Sequence, residues 1–259
     1  MRDALAAILR DLRPLGVAVS GGVDSLTLAT LAGREIGTDA TMLHAVSPAV
    51  PEAATARVRA LAGAEGWRLS VIDAGEFEDP AYRANPANRC FFCKSNLYGA
   101  MAAAMPGTLA SGTNLDDLGD WRPGLKAAEN HGVRHPFVEA RMTKADVRAL
   151  AADLGLGDIA TLPASPCLSS RVETGLRIEP EALITIDRVE TRIRARYPVA
   201  TVRCRMRSDG PALELDAAFL DAAKPATLDA LRSEASGVAG RSVTLAPYAM
   251  GSAFLRDAS

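Results

Sequence analysis

The chain has 259 residues, of which 48% are hydrophobic and 23% are charged, and its 29 basic and 31 acidic residues give a net charge of −2. This length allows one large or two modest domains, and the charge gives no reason to expect a nucleic acid, so a small-molecule substrate fits better. The charged N-terminus does not resemble a signal peptide, and no apolar run could span a bilayer, so we expect no membrane association. We expect a cytoplasmic protein whose four cysteines serve catalysis or metal binding rather than disulfides.

Strand and helix patterns alternate along the first part of the chain. After a first helix that ends near Arg13, strands are predicted over 16–19, 41–46, 68–72 and 108–110, and helices over 24–36, 53–65 and 94–105. This order predicts an α/β fold, in which helices cover both faces of a parallel sheet. Ligands of such sheets bind at the carboxyl ends of the strands, where Ser20, Asp73 and Ser111 are placed.

Two polar segments, 73–88 and 111–124, interrupt this alternation and are predicted to be long loops. Further helices are predicted over 124–131 and, after the N-cap residue Thr143, over 144–154, with a short apolar piece at 136–138 between them. A third segment predicted to be a loop, 163–175, precedes a predicted helix over 180–196 and strands over 200–206, 212–216 and 242–245. We therefore predict an α/β domain at 1–162 and a small α+β domain at 163–259.

The sequence Ser20-Gly21-Gly22-Val23-Asp24-Ser25 lies between a predicted strand and a predicted helix. Two glycines let backbone N–H groups close on an anion, and Ser20 and Ser25 add hydroxyl donors at the positive end of the helix. The alternative is a simple turn between strand and helix. The loop lacks a Walker lysine and instead resembles the pyrophosphate-binding (PP) loop of the N-type ATP pyrophosphatases, which implies ATP as a cofactor.

Three of the four cysteines lie in or next to predicted loops. Cys90 and Cys93 form a C-x-x-C motif that opens a predicted helix, and Cys167 follows in a separate loop, whereas Cys204 alternates within a strand and is expected to be a core residue. Three cysteines could hold an iron-sulfur cluster with one open iron. The alternatives are a redox dithiol at Cys90 and Cys93, or a nucleophilic or sacrificial Cys167.

The segments NRCFFCKSNLY, SGTNLDDLGDWRPGLKAA and PASPCLSSR, in this order behind SGGVDS, resemble the LarE family of ATP-dependent sulfur transferases across roughly residues 10–210. The resemblance implies a PP-loop ATP pyrophosphatase domain and a second domain for substrate binding or oligomerisation. It also implies that ATP and Mg²⁺ adenylylate a carboxylate of pyridinium-3,5-biscarboxylic acid mononucleotide, and that sulfur replaces AMP in the synthesis of the nickel-pincer cofactor. Two sulfur routes occur in the family, and we favour a 4Fe-4S cluster on Cys90, Cys93 and Cys167, supplied by sulfide or another sulfur donor, over sacrifice of Cys167.

Candidate nucleotide contacts surround the loop at residues 20–25. Asp24 offers hard oxygens for Mg²⁺ or simply opens a helix, and Asp117 could bind Mg²⁺ or cap a helix. The resemblance places nucleotide contacts at Gly112, Thr113 and Asn114. His44 is also a candidate ATP contact, although we expect its ring to pack inside the sheet.

Candidate substrate contacts are mostly arginines. The strand 202–207 alternates strictly, which places Arg203, Arg205 and Arg207 on one face, for binding phosphate or as a solvated surface. The resemblance favours substrate phosphate for Arg203 and Arg205, with Arg171 orienting the activated carboxylate as a catalytic residue together with Cys167 and Asp24. Arg122, which could face phosphate, and Glu190, which could project towards the same site, are further candidates.

Two other functional classes fit parts of the sequence. Enzymes that thiolate tRNA share related loops and cysteines, but they need a basic surface, which the net charge of −2 argues against. A non-catalytic ATP-binding protein is the other class, and the intact SGGVDS and three cysteines argue against it. The C-terminal tail, APYAMGSAFLRDAS, has a Tyr and a Gly-Ser but departs from the family pattern, in which a basic residue often stands at the place after the Tyr, so we assign the tail no role in substrate contact or assembly. The resemblance suggests a homo-oligomer.

Overall fold

The computed structural model describes residues 1–119, 123–164 and 166–254. The predicted substrate contact Arg122, and its neighbours Asp120 and Trp121, lie outside these residues. The chain forms two compact units, one of Met1–Asp79 with Cys90–Ser165 and the other of Pro80–Arg89 with Pro166–Ser259. The sequence-based division places 80–89 in the first domain, whereas these residues fold with the second unit.

The strands are β1 (Leu15–Ala18), β2 (Ala40–Ala45), β3 (Leu69–Ile72), β4 (Thr108–Ala110), β5 (Val202–Arg207), β6 (Gly210–Leu215) and β7 (Thr244–Pro247). The helices are α1 (Arg2–Asp11), α2 (Val23–Ile36), α3 (Glu52–Glu65), α4 (Pro80–Arg83), α5 (Arg89–Ala104), α6 (Pro123–Asn130), α7 (Pro136–Glu139), α8 (Lys144–Asp153), α9 (Pro180–Arg196), α10 (Ala217–Ala222) and α11 (Pro225–Ala239). Within the described ranges, no helix has the length and apolar character needed to cross a membrane.

The first unit is built on a parallel sheet with the strand order β3-β2-β1-β4. Leu15 and Val17, on one face of the central strand β1, are fully buried, and Gly16, on the other face, lies against Met105 and Leu109, so the parallel sheet is covered on both faces. Helices α1, α2 and α8 form one apolar cluster with β1, while Tyr98 and Met101 of α5 join a second cluster with α6 and β4. The predicted α/β fold with a parallel sheet is confirmed. Because all four strands run the same way, the loops after β1, β2, β3 and β4 emerge at one edge of the sheet.

Two prolines begin short helices that the sequence analysis did not predict. Pro80 opens α4 inside the predicted loop 73–88, and Pro136 opens α7 in the predicted apolar piece. Proline suits the first helical turn, because its fixed φ is already helical and its missing N–H has no partner there. Helix α5 also begins earlier than predicted, at Arg89, so that Cys90 and Cys93 lie within its first two turns.

In the second unit α9 packs on β5 of a small mixed sheet and α11 packs on α9; in this sheet β5 and β6 are antiparallel and β6 and β7 are parallel. The predicted α+β character is confirmed. Residues 80–89 join this unit through Asn85, which is fully buried at a left-handed φ of 55°. Its side-chain amide donates to the carbonyls of Glu173 (2.8 Å) and Leu176 (2.9 Å), and its own carbonyl accepts the N–H of Gly175 (2.9 Å).

Candidate functional site

The loop between β1 and α2 is held in shape by its two serines. The N–H of Ser20 donates to Oγ of Ser25 (3.1 Å), the two hydroxyls lie 3.1 Å apart, and Oγ of Ser25 donates to the carbonyl of Gly22 (3.1 Å). Gly22 is the N-cap of α2 and offers no side chain to the first N–H groups of this 14-residue helix. Such N–H groups have no partner inside the helix and lie at its positive end, so the arrangement suits an anion such as phosphate.

Two glycines at this loop are required by the space around them. Gly21 has a φ of 82°, and a Cβ there would lie 2.8 Å from the carbonyl oxygen of Ala54. Gly112, in the loop after β4, packs directly on the start of α2, and a Cβ on it would lie 2.9 Å from backbone atoms of Asp24 and Ser25. A side chain at position 21 would push its loop away from Ala54 of α3, and one at position 112 would push its loop away from the start of α2. The two glycines therefore allow these backbone segments to approach closely.

Asp24 lies beside this loop within a small polar network. Its carboxylate forms an ion pair with Nζ of Lys144, the first residue of α8, and its Oδ1 accepts a hydrogen bond from Nδ2 of Asn114 (3.3 Å). Sequence reasoning did not identify Lys144 as a functional residue. The available signal was electrostatic, because a lysine in the first turn of a helix opposes the helix dipole and needs a nearby acceptor. The carboxylate has the chemistry of an Mg²⁺ ligand, and the ammonium can pair with phosphate.

The loop after β4 is shaped by its own side chains. Oδ2 of Asp117 accepts the N–H of Asn114 (3.0 Å), and Oδ2 of Asp116 accepts the N–H of Lys144 (2.6 Å). Asp117 therefore shapes a turn in the described structure, and its role as an Mg²⁺ ligand stays a prediction. Oγ1 of Thr113 lies 3.0 Å from Oγ of Ser111, so the predicted nucleotide contacts Gly112, Thr113 and Asn114 form one ordered loop beside Asp24.

His44 lies buried at the end of β2, and both of its ring nitrogens have protein partners. Nδ1 donates to the carbonyl of Val19 (2.7 Å), since a carbonyl can only accept, and Nε2 then accepts from the hydroxyl of Thr55 (3.0 Å). Burial lowers the pKa of His44 below its usual value. The expected packing of this ring inside the sheet is confirmed, and its contact with ATP stays a prediction.

The three candidate sulfur residues lie in different settings. Cys90 and Cys93, about one helical turn apart in the first two turns of α5, belong to the first unit and are half-buried. Cys167 belongs to the second unit, is exposed, and precedes a 3₁₀ turn over Leu168–Arg171. Over the residues that the structure describes, no three His, Cys, Asp or Glu side chains are grouped to hold a metal ion.

The turn that carries Cys167 is held from inside by Arg171, whose side chain is 2% exposed. Its Nη1 donates to the carbonyls of Pro166 (2.7 Å) and Cys167 (3.2 Å), while Nε and Nη2 donate to the carboxylate of Glu190 (3.0 and 3.2 Å). Glu190 also accepts from Arg194 (2.6 Å). The structure thus places Arg171 and Glu190, both predicted to contact substrate, in a buried network that fixes the backbone on either side of the Cys167 side chain.

The arginines of β5 do not form a uniform face. Arg205 is 5% exposed, its Nε donates to the buried carboxylate of Glu214 (2.9 Å), and its Nη1 donates to the carbonyl of Ser170 (3.0 Å). Nη2 of Arg207 donates to the same carboxylate (2.6 Å). The alternative of a solvated face is wrong for Arg205, because Glu214 supplies the opposite charge that allows an arginine to be buried. Arg203 is half-buried, and its Nη1 donates to the carbonyl of the preceding residue (2.8 Å).

The predicted residues fall into two groups, one in each unit. The first unit brings together the phosphate-loop residues, Asp24 and the loop after β4, and adds Lys144. The second unit brings together the Cys167 turn and the buried arginine network. The group in the first unit consists of Ser20, Gly21, Gly22, Asp24, Ser25, Gly112, Thr113 and Asn114, and the group in the second unit consists of Cys167, Arg171, Glu190, Arg203 and Arg205. The other predicted residues within the described ranges, His44, Cys90, Cys93 and Asp117, also belong to the first unit.

Sequence comparison connects this chain with known proteins, although no protein-family model matches it. It is 31% identical to the pyridinium-3,5-bisthiocarboxylic acid mononucleotide synthase of Lactiplantibacillus plantarum over 219 residues, which cover 83% of this chain and 79% of that protein. It is 37% identical to an uncharacterized protein of Synechocystis sp. over 206 residues, 77% of this chain and 75% of the relative. A third relative, an uncharacterized protein of Methanocaldococcus jannaschii, is 28% identical over 77% of each chain.

Proposed function

Since this chain belongs to the LarE family of pyridinium-3,5-bisthiocarboxylic acid mononucleotide synthases, we propose that it is an ATP-dependent enzyme that inserts sulfur into pyridinium-3,5-biscarboxylic acid mononucleotide. The observation that carries this proposal is the loop at residues 20–25, which joins a donor-rich helix start to the carboxylate of Asp24 and the ammonium of Lys144. A loop of this kind suits the triphosphate of a nucleotide. Sulfur insertion also requires a group that carries or binds sulfur, and Cys167 offers an exposed thiol next to backbone that is hydrogen-bonded to Arg171.

The first step activates a carboxylate of the substrate. One carboxylate oxygen attacks the α-phosphorus of ATP, the bond between that phosphorus and the oxygen bridging to the β-phosphate breaks, and pyrophosphate leaves, which yields an acyl adenylate. The N–H groups at the start of α2 and the hydroxyls of Ser20 and Ser25 stabilise negative charge on the phosphates. Asp24 and Asp117 are the proposed Mg²⁺ ligands, and Mg²⁺ when bound neutralises phosphate charge. Lys144 would exchange its contact with Asp24 for a phosphate oxygen as the metal takes the carboxylate.

The second step replaces AMP by sulfur. A sulfur nucleophile attacks the acyl carbon, the bond to the phosphate oxygen breaks, and AMP leaves with the electron pair. In the favoured route Cys90, Cys93 and Cys167 would hold a 4Fe-4S cluster, whose open iron would bind sulfide that comes from an external sulfur donor. The thiol chemistry of these residues suits iron, and their joint ligation of one cluster belongs to the proposal. In the alternative route the sulfur of Cys167 itself attacks, a base removes its α-proton, and cleavage of the Cβ–S bond leaves dehydroalanine and the thiocarboxylate.

An anaerobic preparation tests both the activity and the sulfur route. The purified chain is assayed for iron and acid-labile sulfide, and then incubated with ATP, Mg²⁺, sulfide and the biscarboxylic acid mononucleotide. We expect AMP, pyrophosphate and a thiocarboxylate product by mass spectrometry, in amounts that exceed one turnover if the cluster route operates. A single turnover with loss of H₂S from the mass of the Cys167 peptide, and no bound iron, would establish the sacrificial route instead.

Cysteine variants sharpen this test. Cys167→Ala removes product on either route, whereas Cys90→Ala and Cys93→Ala remove iron and product only if the cluster route operates. Cys204→Ala is the matched control, because Cys204 is fully buried and its burial, with the nearby charge of Glu190, raises the pKa of its thiol to about 12. Product that depends on tRNA rather than on the mononucleotide, or no AMP at all, would contradict the proposed function. Size-exclusion chromatography with light scattering tests the proposed homo-oligomer.

A further inference from the structure

The segment that follows β7, residues 248–253, returns to the arginine-bearing strand of the second unit. We name it the return segment. The N–H of Tyr248 donates to the carbonyl of Leu215 at the end of β6 (2.7 Å), and the carbonyl of Ala253 accepts the N–H of Thr174 (2.9 Å). Between these two points the hydroxyl of Ser252 donates to the buried carboxylate of Glu214. The segment is therefore fixed at both ends and in the middle by hydrogen bonds to the second unit.

The ring of Tyr248 lies over the guanidinium of Arg203, whose Cζ is 6.0 Å from the ring centroid. An arginine in this position is attracted to the negative face of the ring. Nη1 of Arg203 also donates a hydrogen bond to the carbonyl of Val202 in its own strand (2.8 Å). The ring and the strand thus restrict a side chain that otherwise carries about 2 kcal/mol of rotamer entropy.

The positive charge of Arg203 is disfavoured by its surroundings. Arg203 is half-buried, and burial together with the positive charges of Arg171 and Arg194 lowers its pKa. Glu190, which partly offsets this effect, already accepts hydrogen bonds from both of those arginines. A cation held among like charges attracts a dianion more strongly than an isolated arginine does, provided that it is kept in one orientation.

We infer that Tyr248 is a positioning residue that holds the guanidinium of Arg203 for the phosphate group of the mononucleotide substrate. This inference rests on the proposed function, which supplies the phosphate-bearing substrate. It gives the return segment a role in the site, and it needs no basic residue after Tyr248. The ring acts through its face, so its hydroxyl is dispensable and its electron density is not.

Calorimetric binding to the full chain tests this role without requiring turnover. The probes are pyridinium-3,5-biscarboxylic acid mononucleotide and the corresponding nucleoside, which lacks the phosphate. For Tyr248→Leu we expect the Kd of the mononucleotide to rise about three- to thirty-fold, the range that corresponds to the loss of one cation–π contact. The Kd of the nucleoside and that of ATP should change less than twofold. Tyr248→Phe should bind as the natural chain does, and Tyr197→Leu, which removes a ring at the end of α9, is the matched control.

Fluorinated phenylalanines at position 248 separate the electrostatic role from packing. Successive fluorines weaken the negative face of the ring with little change in shape, so affinity for the mononucleotide should fall stepwise with fluorine content. This series also decides the question should Tyr248→Leu fail to fold. Equal losses for nucleotide and nucleoside, or no fluorine dependence, would overturn the inference while the proposed function stands. Failure of the natural chain to bind the mononucleotide at all would overturn the proposed function itself, and this inference with it.

Discussion

Replacement of Glu190 by glutamine should destabilise the second unit far more than most single substitutions do. The side chain of Glu190 is 2% exposed, and its two oxygens accept hydrogen bonds from Nε and Nη2 of Arg171, from Nη2 of Arg194 and from the N–H of Cys204. Glutamine keeps the volume but has one acceptor oxygen and no charge. The guanidinium of Arg171, also 2% exposed, would then be a buried cation without its counter-charge.

The expected loss follows from that burial. Removal of one partner from a buried ion pair costs about 3–5 kcal/mol, because the remaining charge can neither reach water nor find another partner. The free energy of unfolding, measured by circular dichroism in urea, should fall by this amount in Glu190→Gln. Hydrogen exchange should accelerate across β5, where the amide of Cys204 loses its acceptor.

The pH dependence has a defined sign. Burial alone would raise the pKa of Glu190, but hydrogen bonds and charges from Arg171 and Arg194 outweigh it and the pKa is lowered from its usual 4.5. The ion pair therefore stabilises the chain fully above about pH 4.5, and this contribution is lost as the pH falls through the folded-state pKa. Glu190→Gln should lack this acid-dependent part of the stability.

A matched control is available on the surface of the same unit. Glu234 also accepts from two arginines, Arg192 and Arg196, but these side chains are 54% and 56% exposed. Glu234→Gln should change the free energy of unfolding by no more than about 1 kcal/mol. A loss below 1 kcal/mol in Glu190→Gln, or equal losses in the two variants, would refute the argument that burial decides the value of these pairs.

Three further predictions concern the first unit. Gly112→Ala should weaken ATP binding at least tenfold by calorimetry, because its Cβ would meet backbone atoms at 2.9 Å, whereas Gly63→Ala, with nothing within 4 Å, should leave it unchanged. Lys144→Met should raise the Kd of ATP with Mg²⁺ by roughly 10- to 100-fold, the value of one charge-assisted hydrogen bond, without lowering the melting temperature. Burial lowers the pKa of His44, so below about pH 6.5 the unfolded chain binds a proton that the folded chain disfavours. The melting temperature of the natural chain should therefore fall below that pH and should fall less in His44→Gln, and an equal fall in the two proteins would contradict this account.

The phosphate-loop region was predictable because its signals are local. Apolar residues before Ser20, glycines at 21 and 22, and an apolar-periodic helix after Asp24 are all contained in one short stretch of sequence. The parallel sheet was predictable for the same reason, since each strand and each helix has its own pattern. Lys144 was missed because it meets Asp24 across 120 positions of the chain, and no local pattern encodes such a contact.

The placement of residues 80–89 shows a second limit. The sequence there reads as a polar loop with two prolines, and no pattern indicates that Asn85 is fully buried. The burial of Asn85 is explained only by its hydrogen-bond partners in the structure. The carbonyls of Glu173 and Leu176 need donors, and the Asn85 side-chain amide supplies them. Asparagine also tolerates the left-handed backbone that this position requires, which is a further reason for this residue type here.

Strand β5 shows that a correctly predicted alternation of side chains does not reveal which of its arginines are buried. Strict alternation places Arg203, Arg205 and Arg207 on one face, but whether that face is buried depends on carboxylates that come from other elements. Glu214 of β6 takes Arg205 and Arg207, and Glu190 of α9 takes Arg171 and Arg194. Each carboxylate thus serves one buried guanidinium, that of Arg171 or Arg205, and one that is partly exposed, that of Arg194 (43%) or Arg207 (29%). Because a buried charge is costly unless it is compensated, an arginine of this strand can be buried only where a carboxylate from another element reaches it, and the period of the strand does not encode that carboxylate.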